Sequence, residues 1–281
     1  MYVTNSTQNI RIGITDRQTY LLSTLAKEGK TIIGLDDITR VLETSYNNAK
    51  VIANRLRKKK WLIQITKGRY LISPLSAGTE SEYTEHEFII ASDLVKDRPY
   101  YIAYWTALNH YRYTEQTPLT VFIATTSRTS NKNIHGVSYN FVTINKNKFF
   151  GTKNYFIGRH KIIISDKNKT LADALDHPEY CGGIDEVAKC LWNAKDDISF
   201  DKIINYAQEM DNSTIIKRLG YLIDVLKIKI SPNLYSKMLH SINTGHSWLD
   251  PYSTKQKKSN PKWKLFVNIS ESSILEAKST T

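Results

Sequence analysis

The stretch that most limits what this chain can fold into is residues 45–73, SYNNAKVIANRLRKKKWLIQITKGRYLIS, a helical pattern that ends in a basic run and passes at once into a short hairpin pattern. Ala49, Ile52, Ala53 and Leu56 fall at i, i+3, i+4 and i+7, one face of an α-helix, and that face is predicted to be buried. The opposite face carries Asn47, Lys50, Val51, Asn54, Arg55 and Lys58. These side chains suit a DNA groove. Asn bonds adenine bidentately, Arg bonds guanine, and Val methyls meet the thymine methyl. Lys50 and the cluster Arg55, Arg57, Lys58, Lys59 and Lys60 suit phosphates. Ser45, the N-cap candidate, and Asn48 complete the predicted reading set at the helix start. The bland reading is that a basic last turn complements the helix dipole and keeps the surface solvated.

The flanks favour the DNA reading. Residues 16–26, with Leu21, Leu22, Leu25 and Ala26, and residues 35–42, with Leu35, Ile38 and Leu42, read as two short amphipathic helices separated by a stop at Gly29. Glu43 and Thr44 leave only a tight turn before the third helix. After it, residues 61–65 and 69–72 form strands around Lys67-Gly68, where Gly supplies the positive φ of a tight hairpin. Lys67 and Arg69 at its tip are placed to reach an adjacent phosphate. Three helices followed by a basic hairpin predict a winged helix-turn-helix over residues 1–75. The charge agrees with this. Of the formal +12, residues 1–75 hold 13 Lys or Arg against 5 Asp or Glu, a balance of +8, and the other 206 residues carry only +4.

At 281 residues and 41% hydrophobic content the chain has material for two cores. SPLSAGTESE (73–82) is the linker candidate, placed at 76–82. The predicted class is α+β: the winged helix, then a mixed α/β domain with a helical C-terminal part over 83–270. Helices are expected at 85–95 and 100–113, strands at 119–125, 139–144, 154–157 and 161–165 around a polar turn at 127–135, and helices at 170–175, 184–194, 200–210 and 213–226. The mixed-sheet part thus runs over 83–168 and the helical part over 169–245. WKLFVNI (263–269) reads as a strand returning to the middle sheet, and 271–281 as a flexible tail. Tyr100, Tyr101, Tyr104, Tyr111 and Tyr113 fit an aromatic core better than a base-stacking surface. Lys255, Lys257, Lys258, Lys262 and Lys264 form either a second phosphate-facing patch or a solvated loop.

Catalytic signatures are sparse. No phosphate loop, dinucleotide glycine motif, nucleophile elbow or zincin motif occurs. The seven His residues show no i, i+4 pairing, and Cys181 and Cys190 encode neither a zinc finger nor a disulfide framework, so a reducing cytoplasm is expected. A zinc site of His177, Cys181 and Cys190 lacks a fourth ligand. Asp166, Lys169, Asp173 and Asp176 surround a strand-to-helix junction, an arrangement that can hold Mg²⁺ for phosphodiester chemistry, although helix capping explains them as well. No cofactor, no metal and no catalytic residue is predicted. No apolar run approaches the roughly 18–20 residues that span a bilayer, and no signal peptide is read.

Beyond the winged-helix pattern, the segments YYIAYWTALNHYRYTEQTP (100–118), SDKNKTLADALDHPEYCGGI (165–184), KRLGYLIDVL (217–226) and WKLFVNI resemble the AbiEi family, antitoxin-type transcriptional regulators of abortive-infection toxin-antitoxin systems. The resemblance implies a repressor that binds inverted repeats in its own promoter and opposes an AbiEii-like nucleotidyltransferase toxin. It implies a type IV arrangement, in which the antitoxin opposes the toxin's effect without forming a stable complex with it. Neutralisation would belong to the C-terminal domain. A standalone winged-helix regulator, or a metal-dependent nucleic-acid or nucleotide enzyme centred on Asp166, is the competing expectation.

Overall fold

The computed structural model describes residues 11–78, 84–95, 98–116, 119–253 and 258–278. It is a mixed α+β structure with three sheets and a helical C-terminal region. The chain divides into two compact units, residues 1–94 and 95–281.

In the first unit, α1 (Asp16–Lys27), β1 (Ile32–Gly34), α2 (Leu35–Leu42), α3 (Tyr46–Lys58), β2 (Leu62–Thr66) and β3 (Arg69–Ile72) follow in order. The strands form an antiparallel sheet in the order β1-β3-β2. Local signals fix the helices. Thr15 and Gln18 close a capping box at the start of α1. Glu43 ends α2 in the left-handed region, φ 47° and ψ 51°. Leu21, Leu25, Ile33, Ile38, Ala49, Ala53 and Leu56 are fully buried in one core. The short strand β1 escapes sequence reading because three residues give no alternation to detect.

The compact division falls later in the chain than the predicted linker at 76–82. The compact units part at 94/95, so α4 (Glu87–Val95), apart from its last residue, falls with the first unit and not with a domain starting at 83. Leu75–Ala77 is a single 3-10 turn, and of the expected linker residues 79–82 lie outside the described residues.

The second unit is built on a six-stranded mixed sheet of β4 (Tyr100–Ile102), β5 (Thr120–Thr125), β6 (Lys132–Ile134), β7 (Val137–Thr143), β8 (Thr152–Ile157) and β9 (His160–Ser165), in the order β6-β7-β5-β4-β9-β8. Residues 100–113 are therefore not one helix. Tyr100–Ile102 is a fully buried inner strand, and after Ala103 and a positive φ of 52° at Tyr104 the chain enters α5 (Tyr104–His110). A strand buried on both faces reads as a continuous apolar run and so mimics a buried helix. The expected turn at 127–135 contains β6.

The helices α6 (Lys167–Asp176), α7 (Ile184–Ala194), α8 (Phe200–Glu209), α9 (Ser213–Leu226) and α10 (Pro232–His240) follow. Of these α9 is the most enclosed: Ile215, Leu219, Leu222 and Leu226 are fully buried, and Lys217 and Arg218 nearly so. The Arg218 guanidinium donates to the carbonyls of Leu175 (2.6 Å), Asp176 (2.9 Å) and Trp248 (3.0 Å), tying α9 to the end of α6. A Cβ at Gly220 would overlap the ring of Trp263, so glycine here makes the notch that the indole fills. Trp263 is fully buried and its Nε1–H donates to Asp224 at 2.7 Å.

Two expectations for the C-terminal part fail. Residues 263–269 do not return to the middle sheet. β12 (Leu265–Val267) pairs with β10 (Ser247–Trp248) and β11 (Lys258–Asn260) in a separate small sheet. Nor are residues 271–278 a loose tail: Ser270 caps α11 (Glu271–Leu275), and Ile274 and Ala277 enter the main core. Residues 279–281 lie outside the described residues. Among the described residues, no helix is long and apolar enough to cross a membrane.

Candidate nucleic-acid interface

The helix α3 is positioned from both ends. Ser45, in extended conformation at the N-cap, accepts from the Asn48 backbone N–H at 3.3 Å. At the other end, Lys60 adopts a positive φ of 63° and the Trp61 N–H closes on Leu56 O at 2.9 Å, which turns the chain into β2. Ala49, Ala53 and Leu56 face the core as predicted, and the small alanines let the helix lie close to its neighbours. Ile52 is only half-buried.

The opposite face is open. Asn47, Lys50, Val51, Asn54, Arg55 and Lys58 are all exposed, Val51 at 44%. No hydrogen bond or ion pair among the described residues occupies the side chains of Asn47, Asn54, Arg55 or Lys58, and Lys50 lies 4.7 Å from the centre of the neighbouring Tyr46 ring. Helix α3 itself contains no carboxylate. Lys67, at the tip of the β2–β3 hairpin, is likewise exposed.

The remaining predicted contacts have structural occupations. The Asn48 side chain donates to Thr44 Oγ1 at 3.2 Å, so Ser45 and Asn48 cap and brace the turn. Arg57 donates to Gln64 Oε1 at 3.3 Å on the hairpin side. Lys59 donates to Gly13 O at 2.8 Å and Gln18 Oε1 at 3.4 Å. Arg69 is paired with Asp93, donating through Nε at 3.1 Å, and burial lowers its guanidinium pKa. Arg69 is thus held in an ion pair within the first unit. Asp93 lies in α4, a partner that the hairpin sequence gives no means of finding.

Sequence reasoning also missed Arg17. It is exposed near the start of α1 and donates to Leu42 O at 3.0 Å. Together with Asn48, Val51, Arg55 and Lys59 it lines a cleft of about 370 Å³ beside α3. Only the packing of α1 against the other helices brings this cation near Arg55.

The second sequence candidate takes a different form. Asp166 caps α6: its Oδ1 accepts from the Asn168 and Lys169 N–H groups, both at 2.9 Å, and its Oδ2 accepts from Tyr206 OH at 2.7 Å. Lys169 is fully buried, pairs with Asp173 and donates to Tyr101 OH at 3.1 Å. Burial pushes the Asp173 carboxyl above its ordinary range, with the Lys169 charge opposing that shift. Asp176 accepts from Lys148 Nζ at 2.5 Å and Asn212 Nδ2 at 2.6 Å. These carboxylates are engaged one by one and do not converge. Among the described residues, no group of three or more His, Cys, Asp or Glu is arranged to hold a metal. Cys181 and Cys190 are buried free thiols whose pKa values burial raises, and His177 bonds Glu179 at 2.8 Å.

Burial places the tyrosines, and pairing places one of the later lysines. Tyr100, Tyr101, Tyr104 and Tyr113 are core residues, not a stacking surface. Of the later lysines, Lys262 pairs with Asp224 at 2.8 Å and lies over the Tyr235 ring at 4.9 Å, while Lys255 and Lys257 lie outside the described residues.

No family model and no curated protein matches the sequence. Among solved structures, the crystal structure of the Rv2827c protein from Mycobacterium tuberculosis is similar over 96% of this chain and 98% of that chain, with a TM-score of 0.69 and 14% sequence identity. At that identity the likeness concerns the fold alone, the mixed α+β arrangement running through nearly the whole of both chains.

Proposed function

We propose that the first unit is a winged helix-turn-helix and that the protein is a DNA-binding transcriptional repressor and antitoxin of the AbiEi type, acting in the cytoplasm on its own operon and opposing an AbiEii-like nucleotidyltransferase toxin. The observation that carries the DNA reading is the open face of α3, where Asn47, Asn54, Arg55 and Lys58 are exposed with no hydrogen bond or ion pair among the described residues. Buried polar groups find partners in a folded chain, and an exposed face free of carboxylates meets a polyanion at no desolvation cost to ion pairs. In this reading α3 enters the major groove, Asn54 and Arg55 touch base edges, Lys50 and Lys58 meet phosphates, and the hairpin with Lys67 contacts the flanking backbone. Arg17 adds a phosphate contact from α1.

The antitoxin part rests on the sequence resemblance, which extends through both units. The test is fluorescence anisotropy of the full chain on the duplex upstream of its own coding sequence, with a scrambled duplex as competitor. Tight binding that the scrambled duplex does not compete away, and its loss in an Asn54→Ala/Arg55→Ala variant of unchanged thermal stability, is the expected result. Binding that the variant retains would remove α3 from the interface. Co-expression with an AbiEii-type toxin tests the second half: restored growth supports antitoxicity, and repression without rescue would reduce the protein to a standalone regulator.

A further inference from the structure

From residue 116 to residue 165 the chain contains no Asp or Glu, yet it carries Arg128, Lys132, Lys146, Lys148, Lys153, Arg159 and Lys161. The last part of this acid-free stretch is the β8–β9 hairpin, with β8 at the edge of the six-stranded sheet. The register pairs Ile157 with His160 across the two-residue turn Gly158–Arg159, and Gly158 supplies the positive φ of 56° at its first position. The next pair is Phe156 with Lys161, then Tyr155 with Ile162 and Asn154 with Ile163.

Directly paired residues project to the same face of a sheet, so the hairpin has two distinct sides. On one side Tyr155 meets the ring of His110 at 4.5 Å and Lys153 lies over Tyr111 at 4.8 Å. On the other side Ile163 packs against the core, and one pair further out Phe156 and Lys161 stand clear of it. Phe156 is 62% exposed, and Arg159 at the turn and Lys161 beside it are exposed with no ion pair or hydrogen bond among the described residues. An uncovered phenyl ring on an edge strand is a liability in water, and packing gives no reason for it.

We propose that this hairpin tip binds single-stranded nucleic acid, with a base stacked on Phe156 and the phosphates on either side held by Arg159 and Lys161. An aromatic face flanked by two free cations, in a stretch without a carboxylate, has the two elements that such binding uses, a stacking platform and a positive track for the backbone. A duplex offers its phosphates but keeps its base faces covered, so the ring selects for the unpaired strand. This activity lies in the second unit and does not depend on duplex reading by α3.

The test is fluorescence anisotropy of the full chain with labelled oligo(U) and oligo(dT) of roughly 12 nucleotides, against a hairpin duplex of equal length as competitor. The expected result is single-strand binding that the duplex competes poorly. The oligo(U) to oligo(dT) ratio then tells RNA from DNA as the preferred occupant. Phe156→Ala should weaken single-strand binding roughly 5- to 150-fold, Phe156→Trp should retain it, and Arg159→Glu/Lys161→Glu should abolish it at about 0.1 M salt. All three variants should melt like the wild type, since the residues are exposed. Unchanged affinity in Phe156→Ala, or equal competition by the duplex, would overturn the proposal and leave the cations as guards of a sheet edge.

Discussion

Two regions of this protein look alike in sequence and opposite in structure. The open face of α3 and the run from Asp166 to Asp176 each place several polar side chains along a helix, and each invites a chemical reading. In the structure, every ionised group of the second region has an internal partner: Asp166 holds the first turn of α6 and Tyr206, Lys169 and Asp173 hold one another, and Asp176 holds Lys148 and Asn212. On α3, Asn47, Asn54, Arg55 and Lys58 hold nothing among the described residues. What separates a site from a strut here is where the polar atoms go, and the density of charge in the sequence does not report it.

The contrast is easiest to break at Lys169. Lys169→Met removes the cation from a buried pair and leaves Asp173 enclosed, which should cost about 3–5 kcal/mol in chemical denaturation while duplex affinity per folded molecule stays constant. A stable variant with altered DNA binding would reverse the assignment of the two regions. Next in size is Arg55→Ala, which should relax base preference at one position by about 1–3 kcal/mol with no change in denaturation midpoint. Equal weakening on every sequence would turn Arg55 into a phosphate contact. Asp166→Ala should cost about 1 kcal/mol of stability as a lost cap and leave antitoxicity intact. Growth rescue that disappears in this variant at normal protein levels would revive the metal-site reading.

The smallest effect is electrostatic. Asp37 is half withdrawn from water, which alone would raise its pKa, but Lys30, the Gly34 N–H and the charge of Arg69 outweigh burial and hold it below the ordinary carboxylate range. A depressed folded value gives stability that is present above the unfolded pKa near about 4 and is lost as pH falls through the folded value. Melting of the wild type should therefore drop faster than that of Asp37→Asn across that acidic interval. Parallel curves would show that the Lys30 pair adds nothing measurable.

Helices with an amphipathic face and a capping residue were legible from the chain alone: α2, α7 and α9 begin and end where periodicity places them, and Ser45 caps α3 as its hydroxyl suggests. The missed elements share a physical cause. β1, β4 and β6 are three residues each, too short to show a period, and β1 and β4 exist because strands distant in sequence complete their hydrogen bonds. Ser231 with Pro232 marks the start of α10, through a cap and a proline at N1. At the site, the open face of α3 was predictable from angular spacing. The withdrawal of Lys59 and Arg69 was not, because Gly13 and Asp93 lie in other segments and only the fold brings them near.

The notch at Gly220 has a consequence for biosynthesis. The indole that fills it belongs to Trp263, 43 residues further along the chain, so until that segment is made the notch beside Gly220 stands open on α9. Such a nascent chain is a substrate for chaperones and proteases. A chain cut before Trp263 should therefore be less stable and more readily proteolysed than the full chain, with the α9 notch unfilled.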